Sequence, residues 1–249
     1  MADGDLEVTE DRLLGGAVRL LQPRRGHRAG TDAVLLAGLV GVRPGELVAD
    51  FGAATGAVGL MIAVRHPTAR LLLAERDPDL ADLAARNLAL NGLDQRGRAL
   101  RVDLFGPRPE RRSAGLESGI ADLVVTNPPY SEGEGRPSPE ARRRAAHEMA
   151  GGVLSDWFES AADLLREKGR LAVIYRADGL ERCLSALRPR FGSVEITPIH
   201  PRAGEDASRI FVASVKGGRS PLRIAPALVL HNADGGFTPA AERLHRLET

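Results

Sequence analysis

Leu47-Val48-Ala49-Asp50-Phe51-Gly52-Ala53-Ala54-Thr55-Gly56 is the stretch that decides the fold. Leu47 to Phe51 reads as a short apolar strand, and Gly52 to Gly56 as a glycine-containing turn. Ala57 to Arg65 is apolar and of helical length. A strand that feeds a glycine turn and then a helix lets a ligand approach the backbone closely. The helix start then offers unsatisfied N–H groups to an anionic group.

The same rhythm continues downstream. Leu71 to Glu75 is a second strand, and Asp77-Pro78 opens a helix, with the cap at Asp77 and proline at the first helical position. Leu80, Leu83, Ala84 and Leu88 form its apolar stripe, and Asn91-Gly92 ends it. Ala99 to Val102 and Ala121 to Thr126 are further strands. Ser155 is expected to cap a helix through Leu165, with Gly169 after it and a fifth strand at Arg170 to Tyr175. Leu180, Cys183, Leu184 and Leu187 then share one helical face, stopped by Pro189. The β-rich stretches 193–199 and 209–216 have no helix-sized connection, so they read as an antiparallel pair at one edge. Upstream, residues 7–23 look like a hairpin turning at Gly15-Gly16, and Thr31 is expected to cap an apolar helix ending near Gly41.

Alternating strands and helices predict an α/β fold with a doubly wound, mostly parallel sheet. The expected organisation is an N-terminal hairpin extension over 1–30, one domain over 31–217, and a C-terminal extension over 218–249 packed on or trailing it. Two segments break the rhythm: a polar loop at 106–119 rich in arginine, proline and glycine, and a longer charged loop at 131–146. Residues 218–249 have weak periodicity and carry no assigned role.

Composition excludes several classes. Cys183 is the one cysteine among 249 residues, which rules out a disulfide framework and a multi-cysteine zinc site. No histidine spacing suits a metal. Apolar runs such as Ala33 to Val40 are too short to span a bilayer, and the acidic start Met-Ala-Asp-Gly-Asp has no apolar signal region. The expectation is a cytoplasmic protein with neither membrane nor metal. A formal net charge of +1 argues for no particular partner.

Glu75 ends the second strand, which in a doubly wound sheet sets a carboxylate beside the first turn, placed to accept ribose hydroxyls. Asp103 follows the third strand and would face an adenine edge; a turn aspartate reads equally well there. This turn and acid alone do not choose between a nicotinamide dinucleotide and S-adenosylmethionine, because both carry an adenosine. They also fit an unliganded α/β turn.

About 70 residues beyond the glycine turn, Thr126 runs into Asn127-Pro128-Pro129-Tyr130. Each proline holds the residue before it extended, fixes its own φ and lacks an N–H. The result is a stiff edge of acceptors: the Asn127 side-chain oxygen and the Pro128 carbonyl can each take one hydrogen of an –NH₂ group. The lone pair of an aryl or amide nitrogen is delocalised, so such a nitrogen is a poor nucleophile. Two acceptors on its hydrogens favour the tetrahedral geometry and help stabilise the positive charge that develops on methylation. Tyr130 offers a flat face on which a planar group can stack, worth roughly 1–3 kcal/mol for a base. Elsewhere in a chain the proline pair would be ordinary turn punctuation; following a buried strand, it reads as a site.

Taken together, Asp50 to Gly56, Glu75, Asp103 and Asn127 to Tyr130 resemble the successive motifs of class I, Rossmann-like methyltransferases acting on amino groups. The segment Gln22-Pro-Arg-Arg-Gly-His-Arg-Ala-Gly-Thr-Asp-Ala33 narrows the resemblance to the bacterial tRNA adenine-N6 methyltransferases that modify the adenosine next to the anticodon of a valine tRNA. It covers roughly residues 8 to 217. The resemblance implies a seven-stranded sheet with an antiparallel final strand, S-adenosylmethionine as cofactor and tRNA as partner. It implies a catalytic set of Asn127, Pro128, Pro129 and Tyr130. The implied cofactor set is Arg28, Gly30, Thr31, Asp32, Asp50, Gly52, Thr55, Gly56, Glu75, Arg76, Asp103, Leu104 and Asn127. There is one departure: the middle glycine often found in the cofactor turn is Ala54 here, and its methyl group crowds or shifts the turn.

RNA needs cations, so charge distribution has to supply what net charge does not. Arg24 and Arg25, near Arg19, His27 and Arg28, form one cluster before the cofactor motifs. Arg142, Arg143 and Arg144 form a second beyond Tyr130, partly offset by Glu132, Glu134, Glu140 and Glu148. Both are expected substrate contacts, and both fit a solvated face. His147 and Glu148 suit a helix start or a substrate-positioning role rather than metal ligation. The tetrapeptide specifies an amine more narrowly than a substrate, so a protein glutamine or another nucleobase amine remains an alternative. A nicotinamide oxidoreductase explains Gly52, Gly56 and Glu75 but leaves the tetrapeptide idle. A binding module that has lost catalysis has Ala54 in its favour and an intact Asn127 against it.

Overall fold

A computed structural model describes residues 6–26, 28–129 and 152–247. The stretch beginning at Leu47 forms β3 (Leu47–Phe51) and α2 (Ala57–Arg65). Before it come β1 (Val8–Leu13), β2 (Val18–Pro23) and α1 (Thr31–Leu39). After it come β4 (Arg70–Glu75), α3 (Pro78–Leu90), β5 (Gly97–Arg101), α4 (Arg108–Ser113) and β6 (Ala121–Thr126). The chain continues with α5 (Gly152–Leu164), β7 (Leu165–Arg176), α6 (Leu180–Leu187), β8 (Phe191–Arg202) and β9 (Arg209–Lys216). It ends with β10 (Arg223–Ile224), β11 (Leu228–His231) and α7 (Pro239–His245).

The sheet runs β5-β4-β3-β6-β7-β9-β8. Strands β3 to β7 are parallel, and β9 lies antiparallel between β7 and β8. This is the expected doubly wound arrangement with its antiparallel final strand. Two short strands, β10 and β11, add to the outer edge of β8 and bring the sheet to nine. They come from the stretch to which the sequence assigned no role. Strands this short draw their order from β8 and leave little periodic trace.

Both faces of the sheet are covered, so its strands bury side chains on alternate sides. On β7, Ala172 and Ile174 enter one apolar layer, while Leu171, Val173 and Tyr175 enter the other. The first layer also takes Leu36 of α1, Leu60 to Ala63 of α2, Leu88 of α3 and Leu20 of the hairpin; the second takes Phe158 of α5 and Leu187 of α6. Helix α2 is buried from Ala57 to Ala63, as a helix apolar all round must be. Helix α7 packs on α1 so closely that a Cβ at Gly38 would stand 2.8 Å from Leu244 Cδ2.

The Asp77 cap forms as the sequence predicts: its carboxylate accepts the N–H groups of Asp79 and Leu80, and Pro78 is the first helical residue. Two other caps do not. Gly30, with extended backbone, caps α1, so Thr31 is already the first helical residue. Ser155 lies inside α5, which begins at Gly152 and passes directly into β7 at Leu165. Within the loop at 106–119, residues Arg108–Ser113 form α4. Arg108 and Arg111 anchor that helix on Asp163 of α5, a tertiary contact with no local sequence signal.

The hairpin turns through Leu14, Gly15 and Gly16, all at positive φ. It docks on α3 through two asparagines one helical turn apart. Asn87 accepts from Leu21 N (2.7 Å) and donates to Leu21 O (2.8 Å), and Asn91 does the same with Arg19 N (2.9 Å) and O (2.7 Å). Each amide thereby pairs with β2 much as a neighbouring strand would.

Candidate active site

Register sets the geometry of the site. Phe51 at the end of β3 pairs with Ala74 on β4 and with Thr126 at the end of β6. Gly52 and Asn127 are the next residues on two adjacent parallel strands, so the glycine turn and the tetrapeptide leave the sheet side by side. Glu75, one residue past Ala74, stands on the other flank of the turn and pairs with Arg101 of β5. Open α/β sheets bind ligands at this carboxyl edge.

The turn is held by carboxylates. Gly52 and Gly56 take φ of 69° and 87°, and Ala54 takes 47°, a left-handed conformation that costs a non-glycine residue roughly 1–2 kcal/mol. Glu75 fixes it. One of its oxygens accepts Ala54 N–H (2.9 Å), and the other accepts Arg76 N–H (2.8 Å) and Asp77 N–H (2.9 Å). Asp50 lies beneath the turn, buried, and accepts Gly59 N–H at 3.0 Å. Burial pushes its carboxyl up to about 7; the Gly59 bond opposes this and the nearby Glu75 charge adds to it. Thr55 is buried, and its carbonyl accepts from Asn87 Nδ2 (2.9 Å), so one amide joins the hairpin to the turn.

Helix α5 closes the site from the other face of the sheet. Trp157 Nε1 donates to Thr126 Oγ1 (2.7 Å), which donates to the Phe51 carbonyl (3.0 Å). The indole also bounds the turn: a Cβ at Gly52 would stand 3.0 Å from Trp157 Cζ2. One turn further along, Ser160 donates to the Leu104 carbonyl (2.6 Å) and holds the segment after β5 in place. There Asp103 accepts Phe105 N–H (2.9 Å) in a tight turn, and the Phe105 ring meets Trp157 edge-on at 5.3 Å.

Several residues picked from sequence meet at this edge: Asp50, Gly52, Thr55, Gly56, Glu75, Arg76, Asp103, Leu104, Asn127, Pro128 and Pro129. Pro128 is buried and Pro129 exposed. The N-terminal group plays a bracing part. Arg28 donates to Thr9 Oγ1 (2.9 Å), the Pro23 carbonyl (2.7 Å) and Asp11 (2.6 Å), so it ties the hairpin together. Asp32 pairs with Arg209 of β9 at 3.0 Å, which pins the start of α1 to the same sheet edge. Arg24 and Arg25 are exposed. His27, Tyr130, Arg142, Arg143, Arg144, His147 and Glu148 lie outside the described residues. Among the described residues, no group of three histidine, cysteine or acidic side chains could hold a metal ion, and no helix is long and apolar enough to cross a membrane.

Sequence reasoning missed Trp157, Ser160 and Asn87. Each left a faint signal: a single tryptophan with a serine three residues on, and an asparagine inside the apolar stripe of α3.

The profile of the methyltransferase small domain family matches residues 29–200. The chain belongs to that family. It is 31% identical to a tRNA1(Val) (adenine(37)-N6)-methyltransferase of Porphyromonas gingivalis, over 87% of this chain and 86% of the relative. A protein of the same name from a Flavobacteriaceae bacterium is 30% identical over 61% of each. Among solved structures, a protein of Agrobacterium tumefaciens described as a predicted O-methyltransferase is 33% identical. It covers 86% of this chain and 95% of its own, with a TM-score of 0.73. Family, fold and site agree on an enzyme that transfers a methyl group, which removes the nicotinamide oxidoreductase. The residues fit S-adenosylmethionine: carboxylates flank a turn whose two glycines leave the backbone open to a ligand.

Proposed function

We propose that the protein methylates the N6 amino group of an adenosine in tRNA, at the position after the anticodon, with S-adenosylmethionine as donor. One observation carries the reaction type: the Phe51–Thr126 pairing sets Asn127 beside Gly52. When bound, the cofactor supplies a methyl group on a positively charged sulfur. The turn and Glu75 would hold its ribose, and Asp103 its adenine amino group. The Asn127 side-chain oxygen and the Pro128 carbonyl take the two hydrogens of the target amine and aim its lone pair at the methyl carbon. The bound donor would supply its methyl group to that nitrogen and leave as the neutral thioether, and the extra amine proton would leave afterwards. No base has to act before attack.

The amine reading is preferred to oxygen methylation because a hydroxyl has one hydrogen and would leave one of the two acceptors unused. The choice of tRNA draws on the relatives' names and on Arg24 and Arg25, exposed where the second hairpin strand ends. A target base reaches this edge only by leaving its stack, which a loop permits more easily than a duplex. A tRNA substrate fits a cytoplasmic enzyme.

The test is methyl transfer from labelled donor to separated tRNA, DNA and protein. The reading expects label in tRNA, lost in Asn127→Ala while the melting temperature is kept. Label in protein instead would replace it with glutamine methylation.

A further inference from the structure

We infer that Trp157 and Thr126 are positioning residues for methyl transfer, setting the tetrapeptide at a fixed height beside the cofactor turn. The inference rests on the reading of Asn127 as the acceptor for the target amine. Thr126 is the last residue of β6 and precedes Asn127; Phe51 is the last residue of β3 and precedes Gly52. The Thr126 hydroxyl spans these two strand ends. It donates to the Phe51 carbonyl at 3.0 Å and accepts Trp157 Nε1–H at 2.7 Å.

Trp157 completes the frame. Its ring carbons Cζ2 and Cη2 would stand 3.0 and 3.2 Å from a Cβ at Gly52, so the indole that fixes the hydroxyl also bounds the turn. Thr126 is 0% exposed and Trp157 7%. A buried donor that loses its partner stays unsatisfied; loss of either group therefore releases both strand ends at the point where two reactants must align. Misplacement by about 1 Å costs up to about a hundredfold in rate.

A hydrogen bond in the core that serves stability alone makes a different forecast. It would change melting temperature and cofactor affinity without singling out the chemical step. Thr126→Val keeps the shape and removes the hydroxyl, Thr126→Ser keeps the hydroxyl, and Trp157→Phe keeps a ring and removes the N–H. Each is assayed with labelled donor on whichever of tRNA, DNA or protein the unaltered enzyme methylates. Affinity for S-adenosylhomocysteine is measured by calorimetry.

The expected result is a kcat lowered between about tenfold and about a hundredfold in Thr126→Val and Trp157→Phe. KM for the methyl acceptor should stay within about threefold in both variants. S-adenosylhomocysteine affinity should stay within about threefold in Thr126→Val, which keeps the indole against the turn, and Thr126→Ser should restore kcat. Should Thr126→Val fail to fold, Trp157→Phe carries the comparison. Unchanged kcat in Trp157→Phe, equal loss in Thr126→Ser, or a loss confined to cofactor affinity would overturn the inference. Failure of the tRNA reading looks different: the unaltered enzyme would label DNA or protein.

Discussion

The cofactor turn and the tetrapeptide leave the sheet from paired residues on adjacent strands, yet they are made stiff in opposite ways. Asn127-Pro128-Pro129 is stiff by covalent structure, since the proline rings fix φ and constrain the residue before each of them. Gly52 to Gly56 is flexible by composition and is held from outside by Glu75, Asp50 and the indole of Trp157. Ala54 shows the contrast: it holds a left-handed conformation while Glu75 grips its N–H. One edge therefore keeps its own shape, with its height beside the turn set by Thr126 and Trp157, and the other depends on its neighbours for its shape.

The largest expected effect breaks the stiff side by chemistry alone. Asn127→Ala should lower kcat by about a hundredfold to a thousandfold, the usual cost of one preorganised acceptor or donor at a transition state. Circular dichroism and melting temperature should be unchanged. A rate within about threefold of the unaltered enzyme would show that the tetrapeptide is only a turn.

Next comes the support of the flexible side. Glu75→Ala removes the acceptor of three backbone N–H groups, where each bond to a charged group contributes roughly 1.5–3 kcal/mol. The variant should lose at least about tenfold in S-adenosylhomocysteine affinity and several degrees in melting temperature. Calorimetry and thermal melts read both; loss of affinity without loss of stability would mean that Glu75 touches ligand but does not hold the turn.

Asp50 gives a pH-dependent test of the same support. Its carboxyl is raised to about 7 in the fold, chiefly by burial, against an ordinary value of 3.8. Between those values the folded state keeps a proton that the unfolded state has released, so this group lowers stability as pH rises from about 4 to about 7. Asp50→Asn keeps an acceptor for Gly59 N–H and has no charge to bury. Its melting temperature relative to the unaltered protein should climb from pH 5 to pH 8. A flat difference would mean that Asp50 is charged throughout.

The smallest effect sharpens the contrast. Ala54→Gly removes the steric cost at φ 47° but adds unfolded-state freedom, leaving a net gain of a few tenths to about 1 kcal/mol. Melting should rise slightly, and a fall would show that the Ala54 methyl is needed for packing.

The difference also explains what could be read from the sequence. Short apolar runs bounded by turn residues and the Asp77 cap are local patterns, so β3 to β9 and the start of α3 were legible. So were the turn and the tetrapeptide, because their constraints lie in their own residues. The external supports were not. Trp157 reaches Thr126 across 31 positions and Asn87 reaches Leu21 across 66, and no local pattern marks such pairs. Thr31 and Ser155 have good capping side chains, yet backbone already ordered by tertiary packing put Gly30 and a longer helix in their places. Residues 218–249 gave only weak periodicity because β10 and β11 take their geometry from β8.

The central claim is that two acceptors beside the turn direct methyl transfer to an adenine amine in tRNA. The most direct measurement is mass spectrometry of nucleosides from tRNA incubated with the enzyme and labelled S-adenosylmethionine. The account predicts label in N6-methyladenosine, absent with Asn127→Ala. Label on a ribose oxygen, a ring nitrogen or protein would contradict it.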